Sequence, residues 1–228
     1  MSKLVEPHGG NGLKALLAPQ TERAEELERA RTLTKVPMTS REVSDVLMLA
    51  MGAYTPLDGF MNEADWRGSC IGMKLENGVF WPIPITLSCD TELADRIHLE
   101  EEVALVDGES GESLAIMEVT EKYTPDKELE CEHVYRTTDI AHPGVQKVMG
   151  QGEVNLAGRV TCLSEGEYPK KYPGLYLRPA EARAQFLENG WSRVAAFQTR
   201  NPMQRAHEHL VKIAVEVTDG VFIHQVLG

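Results

Sequence analysis

The residues with the clearest chemical potential form one run: Gln198-Thr199-Arg200-Asn201-Pro202-Met203-Gln204-Arg205-Ala206-His207. It combines two guanidinium groups, three amide side chains, a hydroxyl and an imidazole. Nothing in the run requires a covalent nucleophile. Arginine, histidine and amide donors at this density suit an anion, and a tetrahedral phosphate or sulfate above all. Gln198 and Arg200 lie two apart and would share one face of an extended chain. Gln204 and His207 lie three apart and would be neighbours on a helix.

The elements around the run set its position. Val194 to Phe197 predicts a short buried-type strand. Asn201 is a suitable helix N-cap and Pro202 a suitable first helical residue, so a helix is expected from there to about Thr218, stopped by Gly220. Val221 to Ile223 predicts a second buried-type strand. Strand, helix and strand within about 30 residues make a βαβ unit with parallel strands. The run then falls at the carboxyl end of a parallel strand, where α/β sheets place ligands, with free N–H groups and a positive dipole end beside it. Upstream, Pro179 to Asn189 predicts a helix closed by Gly190.

The first part of the chain has a different rhythm. A helix is expected at Thr21 to Thr32. Thr39 with Glu42 forms a capping box for a second helix, with an apolar stripe of Val43, Val46, Leu47 and Ala50 and a stop at Gly52. A defined loop follows at Tyr54 to Phe60. Val79 to Leu87, with Pro82 and Pro84, predicts an edge or bulged strand. Val103 to Asp107 and Leu114 to Thr120 predict a hairpin around Gly108–Gly111. Residues 1–167 thus read as a mixed, mainly β domain and 168–228 as the start of an α/β domain, with the boundary near Ser164 to Pro169.

The chain has 228 residues, a formal net charge of −12, and 42% hydrophobic and 25% charged residues. These values exclude a disordered, collagen-like or disulfide-dense protein. The charge is uneven: residues 1–167 carry 15 basic and 30 acidic side chains, net −15, and residues 168–228 carry 8 and 5, net +3. An acidic body opposes a nucleic-acid backbone, and the basic end suits a small anion. The longest apolar run, Val46 to Met51, is far short of the roughly 20 residues of a membrane span, and the start lacks the apolar core of a signal peptide. Cys70, Cys89, Cys131 and Cys162 form no Cys-x-x-Cys pair, so neither zinc nor a redox pair is expected, and a reducing cytoplasm is.

The run at 198–207 resembles the ATP sulfurylase (sulfate adenylyltransferase) family, whose motif reads Gln-x-Arg-Asn-Pro-x-His-x-x-His. Tyr54-Thr55-Pro56-Leu57-Asp58-Gly59-Phe60-Met61 is similar to the family's Pro-Leu-x-Gly-Phe-Met loop. Trp81 to Leu87, Tyr123 to Glu128 and Thr137 to Val145 resemble three further blocks, and the tail Val221 to Gly228 is most similar to the single-function prokaryotic branch. The resemblance covers the whole chain. It implies an N-terminal PUA-like β domain followed by a Rossmann-like nucleotidyltransferase domain. It implies ATP and sulfate as substrates, adenosine 5′-phosphosulfate and pyrophosphate as products, Mg²⁺ carried with ATP, no metal held by this segment, and a homo-oligomer at full length. By position, Gln198 and Arg200 would hold sulfate. Thr199, Arg200 and Asn201 would line the reacting centre. Gln198, Asn201, Gln204 and His207 would bind the nucleotide.

Two departures stand out. Gln204 occupies the position of the family's first histidine and can donate a hydrogen bond but carry no charge. The family continues past the position of Gly228 to a Gly-Arg-Asp segment, so the chain is expected to be an N-terminal fragment with a truncated catalytic domain. The alternative is a non-catalytic PUA-like binding module or a degenerate nucleotidyltransferase.

Overall fold

The computed structural model describes residues 4–226, so Leu227 and Gly228 of the tail lie outside the described residues. The chain divides into two compact units, Leu13–Tyr176 and a second made of Leu177–Gly228 with Met1–Gly12.

The first unit runs α1 (Gln20–Ala30), β1 (Thr34–Met38), α2 (Ser40–Met51), β2 (Gly59–Phe60), α3 (Glu63–Gly72), β3 (Leu87–Cys89), α4 (Thr91–Arg96), β4 (Glu102–Asp107), β5 (Ser113–Tyr123), α5 (Lys127–Glu130), α6 (Pro143–Met149), β6 (Val154–Cys162) and α7 (Tyr168–Lys171). Its six strands form one mixed sheet in the order β1-β4-β5-β6-β2, with β3 also on β6. β1 and β4 are parallel; the other pairs are antiparallel. β4 shows why the sheet sits inside. Val103 and Leu105 join the main core, while Ala104 and Val106 join a second cluster with Ala30 and Leu163. Alternate side chains point to opposite faces, so both faces of β4 are covered.

Helix α2 begins and ends as its sequence dictates. The Thr39 N–H and hydroxyl both donate to Glu42, and Gly52 closes the helix at φ +82°. A Cβ at Gly52 would also press on the Ala15 backbone at 3.2 Å, so only glycine fits there. The capping carboxylate does more than cap. Glu42 is buried and also accepts the Ser88 N–H and hydroxyl, which ties α2 to β3. Asp45, one turn on, is buried between the Arg41 guanidinium (3.0 Å) and the Tyr54 hydroxyl (3.0 Å).

The predicted hairpin is β4–β5, and the strand predicted over Val79 to Leu87 is corrected. Only Leu87–Cys89 joins the sheet, and residues 79–86 make a single bridge, Lys74 to Phe80. Pro82 and Pro84 remove two ladder donors from one edge of the chain. The Trp81 indole N–H instead turns back to the Ile83 carbonyl at 2.7 Å. All four cysteines are free and buried, and burial pushes the Cys70 thiol up to about 12 and that of Cys89 to about 11.

The second unit holds α8 (Pro179–Glu188), β7 (Val194–Thr199), α9 (Arg205–Val217) and β8 (Gly220–Gln225). β7 and β8 are parallel, in register from Val194 opposite Gly220 to Thr199 opposite Gln225. The βαβ unit is therefore present, a right shape for the start of a Rossmann-like domain. Its strands are not of the buried type expected: Ala196 and Gln198 are exposed, and Val194 and Phe197 only half-buried. Two strands are too narrow a sheet to bury their own faces. Asp219 fixes the entry to β8. Its carboxylate accepts the Ser192 and Arg193 N–H groups and the Ser192 hydroxyl, all at 2.8 Å, which holds its pKa down to about 2. Gly220 lies under Trp191, where a Cβ would collide with the indole.

Candidate active site at the end of β7

Thr199 is the last residue of β7 and the most buried of the predicted site residues. Its hydroxyl donates to the Asn201 carbonyl at 2.9 Å and accepts the Asn201 N–H at 3.1 Å. Its own carbonyl accepts the Val226 N–H at 2.9 Å, which carries the ladder one step past β8. The turn after β7 is thus held from both sides.

The expected helix start is corrected. Residues 201–204 are not helical, and the Asn201 carbonyl accepts the Thr199 hydroxyl rather than opening a helix at Asn201–Pro202. Helix α9 begins at Arg205 with Gln204 as N-cap. The Gln204 N–H donates to His207 Nδ1 at 3.2 Å. That bond makes Nδ1 an acceptor and leaves Nε2 to carry the proton of a neutral imidazole. The His207 ring also rests on Phe197, with centroids 5.7 Å apart. Its orientation is therefore set by a cap at one end and an aromatic contact at the other.

The predicted residues thus fall into two groups. Thr199 joins Asn201, and Gln204 joins His207. Gln198 and Arg200 are exposed, and neither makes a side-chain hydrogen bond to another described residue. Strand alternation puts Gln198 on the face opposite Phe197, whose face α9 and His207 cover. The site straddles the strand end rather than lying on one face. Arg200 is the single basic side chain between β7 and α9. Among the described residues, no group of three or more His, Cys, Asp or Glu is arranged to hold a metal, and no helix is long and apolar enough to cross a membrane.

The sequence reading missed two features. One is the Thr199 clasp, because a hydroxyl bonding two residues on leaves only a weak trace in sequence. The other is His224, which the parallel register places beside Gln198.

Residues 5–165 match the family model described as a PUA-like domain. The chain belongs to the PUA-like domain family. Beyond this PUA-like part, residues 173–228 match the ATP-sulfurylase model, a stretch that includes the 198–207 run. Curated relatives named sulfate adenylyltransferase include that of Syntrophobacter fumaroxidans, 60% identical over 100% of the chain, and that of Chlorobaculum tepidum, 57% identical over 99%. The chain spans 56% of the length of each of these relatives. A solved structure described as a hexameric APS kinase from Thiobacillus denitrificans superposes with a TM-score of 0.74 at 33% identity, covering 97% of this chain and 39% of that one.

Proposed function

We propose that the PUA-like chain is part of a sulfate adenylyltransferase, which joins ATP and sulfate into adenosine 5′-phosphosulfate and pyrophosphate, or runs the reverse reaction. The observation that carries this is the Gln-Thr-Arg-Asn-Pro run at the carboxyl end of a parallel strand, directly before a helix start. In this reading residues 1–167 are the PUA-like domain and 168–228 open the catalytic domain. Gln198 and Arg200 take sulfate. Thr199, Arg200 and Asn201 line the reacting centre. Gln198, Asn201, Gln204 and His207 meet the nucleotide.

The chemistry fits those residue types. Sulfate is a dianion at neutral pH and needs no general base. One of its oxygens forms a bond to the α-phosphorus while the bond to the β-phosphate oxygen breaks, and pyrophosphate leaves with that electron pair. The obstacle is repulsion between anions: like unit charges 4 Å apart repel by about 1 kcal/mol in water and about 4 kcal/mol at an effective dielectric of 20. Arg200 neutralises charge on the sulfate side. His207, fixed through Nδ1, offers its Nε2–H to a phosphate oxygen. Such pre-set donors act where charge develops. Mg²⁺ enters with ATP as part of the substrate. Cytoplasmic location and a homo-oligomer belong to the same proposal, the latter in keeping with the hexameric solved neighbour.

The test is sulfate-dependent release of pyrophosphate from MgATP by the protein that carries this chain. Release that requires sulfate supports the reading. ATP binding without any sulfate-dependent release favours the degenerate alternative, which the neutral Gln204 in place of a histidine would explain.

A further inference from the structure

The carboxyl edge of the β7–β8 pair carries an imidazole that the reading above leaves unused. We propose that His224 is a further anion-binding residue of this site, donating an imidazole N–H to the same tetrahedral oxyanion that Gln198 takes. The proposal rests on the reading of this edge as an oxyanion subsite. Gln198 and His224 are direct partners in the parallel ladder. Such partners stand side by side on one face of the sheet, with strands about 4.8 Å apart. Both are exposed, and His224 makes no side-chain hydrogen bond or ion pair with a described residue.

The ring is nevertheless held. Phe222 stacks on it with centroids 6.0 Å apart and planes 11° apart. Phe222 is itself met edge-on by Phe186 at 5.8 Å, and Phe186 stacks on Trp191 at 6.0 Å. This aromatic row supports one side of the imidazole, on the face that also carries Gln198. His207 sits by Phe197 on the other face. The two imidazoles therefore flank the end of β7 from opposite faces, His207 from the side of α9 and His224 from the side of Gln198. Placing donors on both sides of a strand end is what two adjoining anions, a sulfate and a phosphate chain, require.

The test is an NMR titration of the chain with sodium sulfate, against sodium chloride at matched ionic strength. The His224 ring and the amides of residues 198–201 should shift together with one saturating constant. His224→Ala should raise that constant about tenfold, as loss of a hydrogen bond to a charged group does, and His224→Gln, which keeps a donor, should raise it less. An unmoved His224 ring beside shifting 198–201 amides overturns the proposal and leaves the oxyanion reading standing. So does an unchanged constant in His224→Ala. No sulfate-specific shift at 198–201 overturns both.

Discussion

The Thr199 hydroxyl engages both main-chain polar groups of Asn201, and this pair closes the turn between the end of β7 and the start of α9. Thr199→Val keeps the shape and removes both bonds. The Asn201 amide should then exchange with solvent several-fold faster, and the unit should lose about 1 kcal/mol of stability. Hydrogen exchange read at Asn201 and chemical denaturation check this. An unchanged exchange rate would mean the turn is held by other contacts.

Arg200→Ala tests the charge on the sulfate side. In sulfate-dependent turnover it should raise the sulfate concentration needed by at least tenfold and the ATP concentration far less, because Arg200 is the one guanidinium between β7 and α9. Arg200→Lys should recover only part of the loss, since an ammonium cannot present a planar fork. Steady-state kinetics with each substrate varied in turn would decide, and equal effects on both substrates would remove Arg200 from the sulfate subsite.

The Gln204 backbone N–H donates to His207 Nδ1, a bond that any residue but proline can make at this position, so Gln204→His should leave it intact. If charge at this position matters as pyrophosphate departs, kcat should rise by about 10²-fold with ATP affinity little changed. Turnover and nucleotide affinity measured side by side for the two proteins provide the check. Equal kcat would show that a neutral amide suffices.

Asp45 makes the fold sensitive to pH. Burial raises its pKa from 3.8 to about 6, against the opposing pull of Arg41 and Tyr54. A carboxyl whose pKa is raised on folding favours the folded state at low pH. That contribution is full below about pH 4 and declines as pH rises through about 6. From pH 4 to pH 8 the protein should therefore lose about 2 kcal/mol of stability relative to Asp45→Asn. Urea denaturation of both proteins at the two pH values measures the difference. Parallel pH profiles would show that Asp45 ionises as freely folded as unfolded.

Local signals carried much of the fold. Thr39, Glu42 and Gly52 bound α2 because caps are satisfied within a few residues of themselves. Gly108–Gly111 joins β4 to β5 for the same reason, and Asp219 to Gly220 ends α9 and opens β8 where the glycine stop was read. The site run was legible as chemistry because its residue types and its place after a short apolar strand are sequence facts. Pairing across distance was not. β1 and β6 went unread, although β6 is the strand on which β2, β3 and β5 all assemble. Glu42 and Asp45 look like ordinary helix-surface acids until Ser88, Arg41 and Tyr54 close over them. The start of α9 at Arg205 follows a turn that the Thr199 hydroxyl closes on Asn201, and the place of His224 follows from a register 26 residues away. Sequence alone determined the elements whose hydrogen bonds close locally and the chemical character of the 198–207 run. Tertiary structure alone decided which of those side chains share a face, because strand register and burial are set by partners that lie far off along the chain.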